Sequence, residues 1–584
     1  MKKEQIVEVL ETIATLLELQ EENSFKIRAY TNAARSIETW GGNLRELAAE
    51  NRLEEIPGVG KAIAGKITDL VLTGSSKFYD ELRAQFPPDI LELFSLPGLG
   101  AKKIKALLEK LGVSSIAQLA AACAAGKVAE LPGFGKTTQT KLAQTIADRA
   151  RHAGIFSLGQ VAAEAVQLQE DLQQHPDASQ VSIAGSYRRR KEIVRDLDFI
   201  VATKTPEAIT DYFVRHVLVE NVIARGSTKT SVRLRSGIQA DLRVVTSAEY
   251  PFALGYFTGS KEHNIVLRNH ALQRGWTLNE YRLAPAETSS AKKKKPAQKI
   301  PEIRDEAELY RALELDFVPP ELRENSGEIE AAVAGRLPRL LEPENLRGTF
   351  HCHTSASDGR NSLEEMAAAA QELGLQYLGI ADHSRSSIQA GGLDRARLLA
   401  QVARIRELNK TFDGFRLFAG VECDILRDGS LDFDDETLGE LDYVVASVHS
   451  AFQLPEAEMT ERIIRAMSNP HVTFLAHPTG RLLLRREPYA IDIPAILDAA
   501  AATGTWIEIN AAPKRLDLDW RWWPLAKEKG VKCVINPDAH GVEKLQELWF
   551  GVGVARKGWL TKSDVMNTLP LGKIEDALQS KRSR

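Results

Sequence analysis

Cysteine is scarce in this 584-residue chain: Cys123, Cys352, Cys423 and Cys533 are the four, scattered too widely for a disulfide framework. Their scarcity excludes the small secreted scaffolds held by cross-links and fits a reducing cytoplasm. Long apolar runs are missing too. No stretch approaches the roughly 18 residues of a membrane span, so no membrane partner is expected. Met1-Lys2-Lys3-Glu4 leads into an acidic amphipathic pattern rather than a secretory leader. A strongly one-signed charge is also absent, the net value being −4. That balance hides an asymmetry: residues 1–300 hold 41 Lys+Arg against 34 Asp+Glu, and the remainder 34 against 45. A basic front half suits a polyanion, and an acidic rear half suits bound cations. The length exceeds the about 250–300 residues at which single cores stop growing, so several domains are expected.

Chemistry concentrates first in Gly185-Ser186-Tyr187-Arg188-Arg189-Arg190, followed by Asp196-Leu197-Asp198 and answered by Asp241 in Gln239-Ala240-Asp241-Leu242-Arg243. Residues two apart on a strand point the same way, so Asp196 and Asp198 share a face. A third carboxylate from another apolar strand closes a site for two Mg²⁺ or Mn²⁺ ions. Such a pair clamps the attacking and leaving oxygens of phosphoryl transfer. Gly185 and Ser186 offer close backbone approach and a hydroxyl to a phosphate, and Arg189 offers a planar fork to a polyphosphate.

Residues 4–80 read as short helices, with Ile6, Leu10, Ile13, Leu16 and Leu17 near helical spacing. A pentapeptide recurs three times: Ile56-Pro57-Gly58-Val59-Gly60, Leu96-Pro97-Gly98-Leu99-Gly100 and Leu131-Pro132-Gly133-Phe134-Gly135. These copies resemble helix-hairpin-helix elements. Gly58, Gly60, Gly98, Gly100, Gly133 and Gly135 permit a tight turn and let the N–H groups of the next helix face a DNA phosphate, without reading sequence. The run Lys292-Lys293-Lys294-Lys295-Pro296 reads as an exposed loop, and Glu302 to Glu324 as helical. From residue 346 the texture changes. Apolar runs at Tyr377–Ala381, Leu417–Val421, Tyr443–Val448, Val472–Ala476, Trp506–Ile509 and Lys532–Ile535 alternate with polar segments, the rhythm of a parallel β/α barrel or open sheet.

The front half, about residues 5–325, resembles the family X (DNA polymerase beta-like) DNA polymerases. The resemblance is carried in order by Phe25-Lys26-Ile27-Arg28-Ala29-Tyr30, Gly58-Val59-Gly60 to Lys66, Gly185-Ser186-Tyr187-Arg188-Arg189 and the Asp triad. Tyr256-Phe257-Thr258-Gly259-Ser260 with Asn264 and Arg268 completes it. It implies that Asp196 and Asp198 hold both metals and that Asp241 holds only the one activating the primer 3′-hydroxyl. Gly185, Ser186, Arg189 and Gly259 would bind the nucleotide, with Tyr256 and Phe257 against its sugar. Asn264 and Arg268 would read the minor-groove side of the nascent pair, where all pairs share acceptors. Lys66 matches a Schiff-base lysine that cleaves 5′-deoxyribose phosphate, with Lys61 and Lys26 as neighbours lowering its pKa. Lys26 would also grip a 5′-phosphate. A second lysine of that pocket is Ala62 here.

The rear third resembles the PHP (polymerase and histidinol phosphatase) domain of bacterial family X polymerases. The implied ligand set is His351, His353, Asp358, His383, Glu422, His449, His477, Asp538 and His540. Seven histidines lie beyond residue 301, and six occupy these places. Mixed His and carboxylate ligands suit up to three Mn²⁺, Zn²⁺ or Fe ions. Where the family commonly reads Gly-Asp-Leu-His, this chain has Gly348-Thr349-Phe350-His351, without that supporting carboxylate. Cys352 and Cys423 adjoin ligands but alternate away from them, into the core.

The expected fold class is multidomain α/β. It comprises a helical lyase-like domain over 1–80, a fingers-like helix-hairpin-helix domain over 81–150 and a nucleotidyltransferase palm with mixed β-sheet over 151–255. A thumb over 256–325, a linker over 326–345 and a distorted β/α barrel (PHP) over 346–584 follow. The expected function is a cytoplasmic, monomeric DNA-directed DNA polymerase filling short gaps in base excision repair. Its PHP domain would act as a metal-dependent 3′-5′ exonuclease and abasic-site endonuclease, and Lys66 as a lyase. Partners are gapped or primer-template DNA and deoxynucleoside triphosphates. The alternative is a DNA-end-binding repair protein whose rear domain is a small-molecule phosphoesterase.

Overall fold

The computed structural model describes residues 1, 3–39, 44–96, 98–151, 154–286 and 302–582, so Pro97 and the Lys292–Pro296 run lie outside the described residues. Residues 1–153 and 154–584 form two compact units. Among the described residues no single helix is long and apolar enough to cross a membrane.

The first unit is helical. Helices α1 (Lys3–Leu19), α2 (Ser24–Thr39), α3 (Leu44–Ala49), α4 (Lys61–Thr73), α5 (Lys77–Arg83), α6 (Ala101–Leu111), α7 (Ile116–Ala124) and α8 (Gly135–Arg151) surround one apolar core. Ile6, Leu10, Ile13, Leu16 and Leu17 fall on the buried face of α1. The first glycine of each pentapeptide takes the same backbone conformation. Gly58, Gly98 and Gly133 all take φ near +83°, a conformation L side chains rarely adopt. The apolar residue between each glycine pair (Val59, Leu99, Phe134) is buried while the glycines stay exposed. Gly60 and Gly100 cap α4 and α6. The third copy differs: Gly135 is itself at φ +63° and opens α8.

The second unit begins with a mixed five-stranded sheet of β1 (Ala178–Ile183), β2 (Asp196–Thr203), β3 (Val219–Arg225), β4 (Lys229–Leu234) and β5 (Gln239–Val245). Its order is β1-β2-β5-β4-β3, with β2 and β5 parallel and the other neighbours antiparallel. The register sets Asp198 directly beside Asp241. Helices Tyr250–Thr258 and Lys261–Gln273 follow, then a short hairpin and helix Glu306–Ala312 around a separate core. The helix expected over Glu302–Glu324 stops at Ala312. Glu314 is left-handed at φ 59°, and Pro319-Pro320 lack the N–H groups a helix needs, leaving one 3₁₀ turn at Pro320–Leu322.

The rear part carries β6 (Gly348–Cys352), β7 (Tyr377–Ile380), β8 (Arg416–Ala419), β9 (Glu422–Asp424), β10 (Val445–Ser447), β11 (Phe474–Leu475), β12 (Trp506–Asn510) and β13 (Cys533–Asn536), interleaved with helices. All pairs are parallel, β6-β7-β8 in one sheet and β9 to β13 in another. β8 and β9 are one stretch of chain broken at Gly420-Val421. The ring closes where Phe350 N donates to Asn536 Oδ1 (3.0 Å) and His353 N to Ala539 O (2.8 Å). Each apolar run named from the sequence overlaps one of these strands, the strand ends differing by a residue at Arg416, Asn510 and Asn536. Cys352 and Cys423 are buried in an apolar cluster, as alternation implied.

Candidate functional site

Three side-chain clusters emerge, one in the sheet, one at the rear strand ends and one in the helical unit. In the sheet, Gly185 takes φ +63°, and a Cβ there would lie 2.4 Å from Asp198 Oδ2. Glycine is what lets this turn press onto the carboxylate. Burial, then the charges of Asp196 and Asp241, push the Asp198 carboxyl up to about 7. Burial and Asp241 raise Asp196 as well. Asp241 is opposite in sign: burial works against its charge, but hydrogen bonds from Lys229, Ser231 and Gln239 hold it below the usual range. Lys229 Nζ stands 2.6 Å from Asp241 Oδ2 and Gln239 Nε2 2.9 Å from Oδ1. An oxygen-rich cluster whose carboxylates repel one another fits divalent cations, although Lys229, Arg243 and Arg195 already offset part of its charge.

Ser186 sits in the single helical turn Gly185–Arg188. Arg189 Nε donates to Glu324 Oε1 (3.1 Å) and Nη1 to Thr258 O. Asn264 Nδ2 donates to Tyr256 O (2.7 Å), and Tyr256, Asn264 and Arg268 line one groove with Phe252 and Leu278. Phe257 lies under the Arg243 guanidinium, 3.9 Å from it, and Gly259 approaches Arg189.

At the rear strand ends all nine residues named from the sequence converge. Their ligating atoms form four overlapping groups: His353, Asp358, His383, His540; His351, His353, Asp538; His351, Glu422, His477; and His383, Glu422, His449. Within each group the atoms lie within 4.8 Å of one another. Glu422 is shared most widely: Oε1 is 2.9 Å from His477 Nε2 and 3.2 Å from His351 Nε2 and His449 Nε2, and Oε2 is 2.9 Å from His383 Nδ1. His353 Nε2, fully buried, faces Asp538 Oδ1 at 3.3 Å without the alignment of a hydrogen bond. Lone pairs converging on shared centres fit metal ions better than a hydrogen-bond network.

Sequence reasoning missed the outer layer. Glu508 Oε2 accepts from His351 Nδ1 (2.7 Å) and Asn536 Nδ2 (2.9 Å), supplying from β12 the carboxylate that Thr349 does not. Asp424 Oδ1 takes His449 Nδ1 (2.5 Å). Asp382 accepts from Thr354, Ser357 and Gln401. Two signals were readable: a charged residue inside the apolar run Trp506–Ile509, and an Asp two positions past Glu422 on one strand.

These partners set the protonation. Burial opposes charge on His449 and His540. Glu422 and Asp424 nevertheless raise the first to about 10, and Asp358 and Asp538 the second to about 9. Metal-free protein at pH 7.5 therefore holds both rings protonated, and a metal must displace those protons. Titrating Mn²⁺ into apoprotein is expected to release protons, and affinity to fall as pH falls. Calorimetry in buffers of differing ionisation enthalpy reads this, and equal heats across buffers would contradict it.

In the helical unit Lys66 Nζ donates to Ala62 O (2.9 Å) and stands over Phe78 (4.6 Å from the ring centre) and Tyr30 (5.9 Å). Burial first, then the Lys26 ammonium, lowers its pKa, while Lys61 is not among the causes. Lys26 itself pairs with Glu22 at 2.7 Å.

A helix-hairpin-helix domain model matches residues 1–76, a SAM-like helix-hairpin-helix tandem 90–151, a DNA polymerase beta thumb 253–324 and a PHP domain 349–512. The DNA polymerase/3′-5′ exonuclease PolX of Bacillus subtilis (strain 168) is 39% identical, covering 99% of this chain and 100% of that protein. A protein of Thermoanaerobacter sp. (strain X514) described as a probable phosphatase is 29% identical, covering 40% of this chain and 95% of its own. The chain belongs to the PolX family, family X DNA polymerases that carry a C-terminal PHP domain.

Proposed function

We propose that this chain extends primers across short gaps in DNA during base excision repair and removes nucleotides from 3′ ends. The observation that carries the reading is the presence, in one compact unit, of a carboxylate triad beside a glycine turn and of a nine-donor centre behind it. Asp196, Asp198 and Asp241 would hold two Mg²⁺ or Mn²⁺ ions, which supply charge stabilisation to the attacking and leaving oxygens of phosphoryl transfer. Ser186 and Arg189 hold the triphosphate, Tyr256 and Phe257 bound its sugar, and Asn264 and Arg268 contact the minor-groove edge of the new pair. At the rear, the nine donors would hold up to three Mn²⁺, Zn²⁺ or Fe ions that supply an activated water. The same centre would cut at abasic sites. The glycine turns of the helical unit grip backbone phosphates on either side of the gap.

A gap bearing a downstream 5′-phosphate should be filled faster than an open primer-template, because Lys26 and the Gly58–Gly60 turn each add a contact. One charge-assisted bond contributes about 1.5–3 kcal/mol. Steady-state extension on the two substrates measures it, and equal rates would count against gap recognition. A separate expectation is that Lys66 forms an imine with an abasic sugar. Borohydride should trap a covalent adduct on incised abasic DNA that vanishes in Lys66→Ala. No adduct in the parent protein removes the lyase reading and leaves DNA binding intact.

A second reading is favoured by the probable phosphatase that matches 40% of this chain: a rear domain acting on small phosphomonoesters. Release from 3′-labelled DNA compared with release from histidinol phosphate separates the two.

A further inference from the structure

The three arginines after Gly185 are each anchored differently. Arg188 is taken up by Glu306 and by Thr258 Oγ1 (2.7 Å). Arg190 lies 3.4 Å from the centre of the Trp549 ring, and a Cβ on Gly553 would sit 3.4 Å from its side chain. Arg189 donates Nε to Glu324 Oε1 and Nη1 to Thr258 O, and among the described residues its Nη2 donates to no partner. Trp549 and Gly553 belong to helix Leu548–Lys557, which comes from the rear, PHP-bearing end of the chain.

The last residue of that helix completes the arrangement. Lys557 is 1% exposed, and its Nζ donates to Glu324 Oε1 (2.8 Å) and to Arg189 O (3.1 Å). It stands 4.6 Å over the Trp520 ring. Arg556 beside it pairs with Glu321 at 2.8 Å, so the helix end is tied to the Pro320–Glu324 segment twice. Glu324 is 11% exposed and draws Arg189 at 3.1 Å, Lys557 at 2.8 Å and Lys191 at 3.8 Å. A buried carboxylate deprived of one partner cation is costly and tightens on the cations that remain. The nearest of these is Arg189.

We propose that Lys557 is a positioning residue of the polymerase centre: by sharing Glu324 Oε1 it limits that carboxylate's hold on Arg189 to Nε, leaving Nη2 available to the triphosphate. The rear domain thereby supplies part of the front domain's nucleotide pocket. This rests on Arg189 being a triphosphate contact, as read above.

Extension of gapped DNA by the full chain, with deoxynucleotide concentration varied, tests it. Lys557→Met keeps the length and loses the charge. It is expected to raise KM for deoxynucleotide about ten-fold, the worth of one charge-assisted hydrogen bond, with kcat within about two-fold and 3′-end degradation unchanged. Lys557→Arg should restore KM. Adding Glu324→Gln to Lys557→Met should restore it as well, since the competing charge is gone, and a merely structural role would make the double variant worse. Unchanged KM in a folded Lys557→Met protein, or no recovery in the double variant, overturns the proposal. Arg189→Ala separates the two failures: if it leaves KM unchanged, the triphosphate role of Arg189 is wrong, and if it alone raises KM, only the relay through Lys557 is wrong.

Discussion

Asp241→Ala is expected to slow primer extension on gapped DNA by at least about 10³-fold, or ~4 kcal/mol of transition-state stabilisation, while removal of nucleotides from 3′ ends continues. Asp241 stands beside Asp198 across the parallel β2–β5 pair, so its loss opens the cation site on the side proposed to face the primer 3′-hydroxyl. The fold has little reason to suffer. Asp241 is one of the two charges that push Asp198 up to about 7, so removing it relieves repulsion in metal-free protein. Lys229, its ion-pair partner, is 39% exposed and can turn to water. Thermal unfolding should therefore shift little, and the two activities should part cleanly. If a folded Asp241→Ala protein loses both, the two-centre account fails, and the apparent nuclease is the polymerase centre running in reverse.

What could be read from the sequence was whatever lies close along the chain or repeats. The three Pro-Gly-x-Gly turns announce themselves because each must place glycine at the same positive φ, and the shared face of Asp196 and Asp198 follows from strand alternation, whereas only the β2–β5 pairing sets Asp241 beside Asp198. The nine rear donors were legible as a set, although only folding shows how they divide into overlapping groups. Illegible were contacts made by packing across long separations. Glu508 supports His351 from 157 residues away, and Lys557 reaches Glu324 from 233. Neither pairing has a spacing that local chemistry could specify. The Glu302–Glu324 segment misled for a local reason: its composition suits a helix, but the chain turns left-handed at Glu314, and Pro319-Pro320 keeps the helix from resuming.

Glu422→Gln is expected to lower 3′-end degradation on the order of 10²–10³-fold, the cost of removing one well-placed charged group from a transition state, with extension unchanged. Among the described residues no other side chain reaches so many candidate ligands: His477, His351, His449 and His383 all lie within 3.2 Å of its two oxygens. Glutamine matches its size, so the 1%-exposed position stays filled and the surrounding strands keep their packing. The charge is the part removed. Burial opposes ionisation of Glu422, yet His449, His351 and His383 hold it well below the usual carboxylate range; in return it raises His449 and His383, and joins Glu508, the larger cause, in raising His351. Without it those rings lose their strongest shared anion and give up protons more readily, while an amide N–H₂ now faces nitrogen lone pairs that a metal would need. Metal content by elemental analysis should fall by at least one ion per chain, and Mn²⁺ should restore nuclease activity only at raised concentration. A Glu422→Gln protein that keeps full metal content and full nuclease activity would show that the carboxylate only orders the histidines, and the catalytic ions would then have to rest on Asp358 and Asp538.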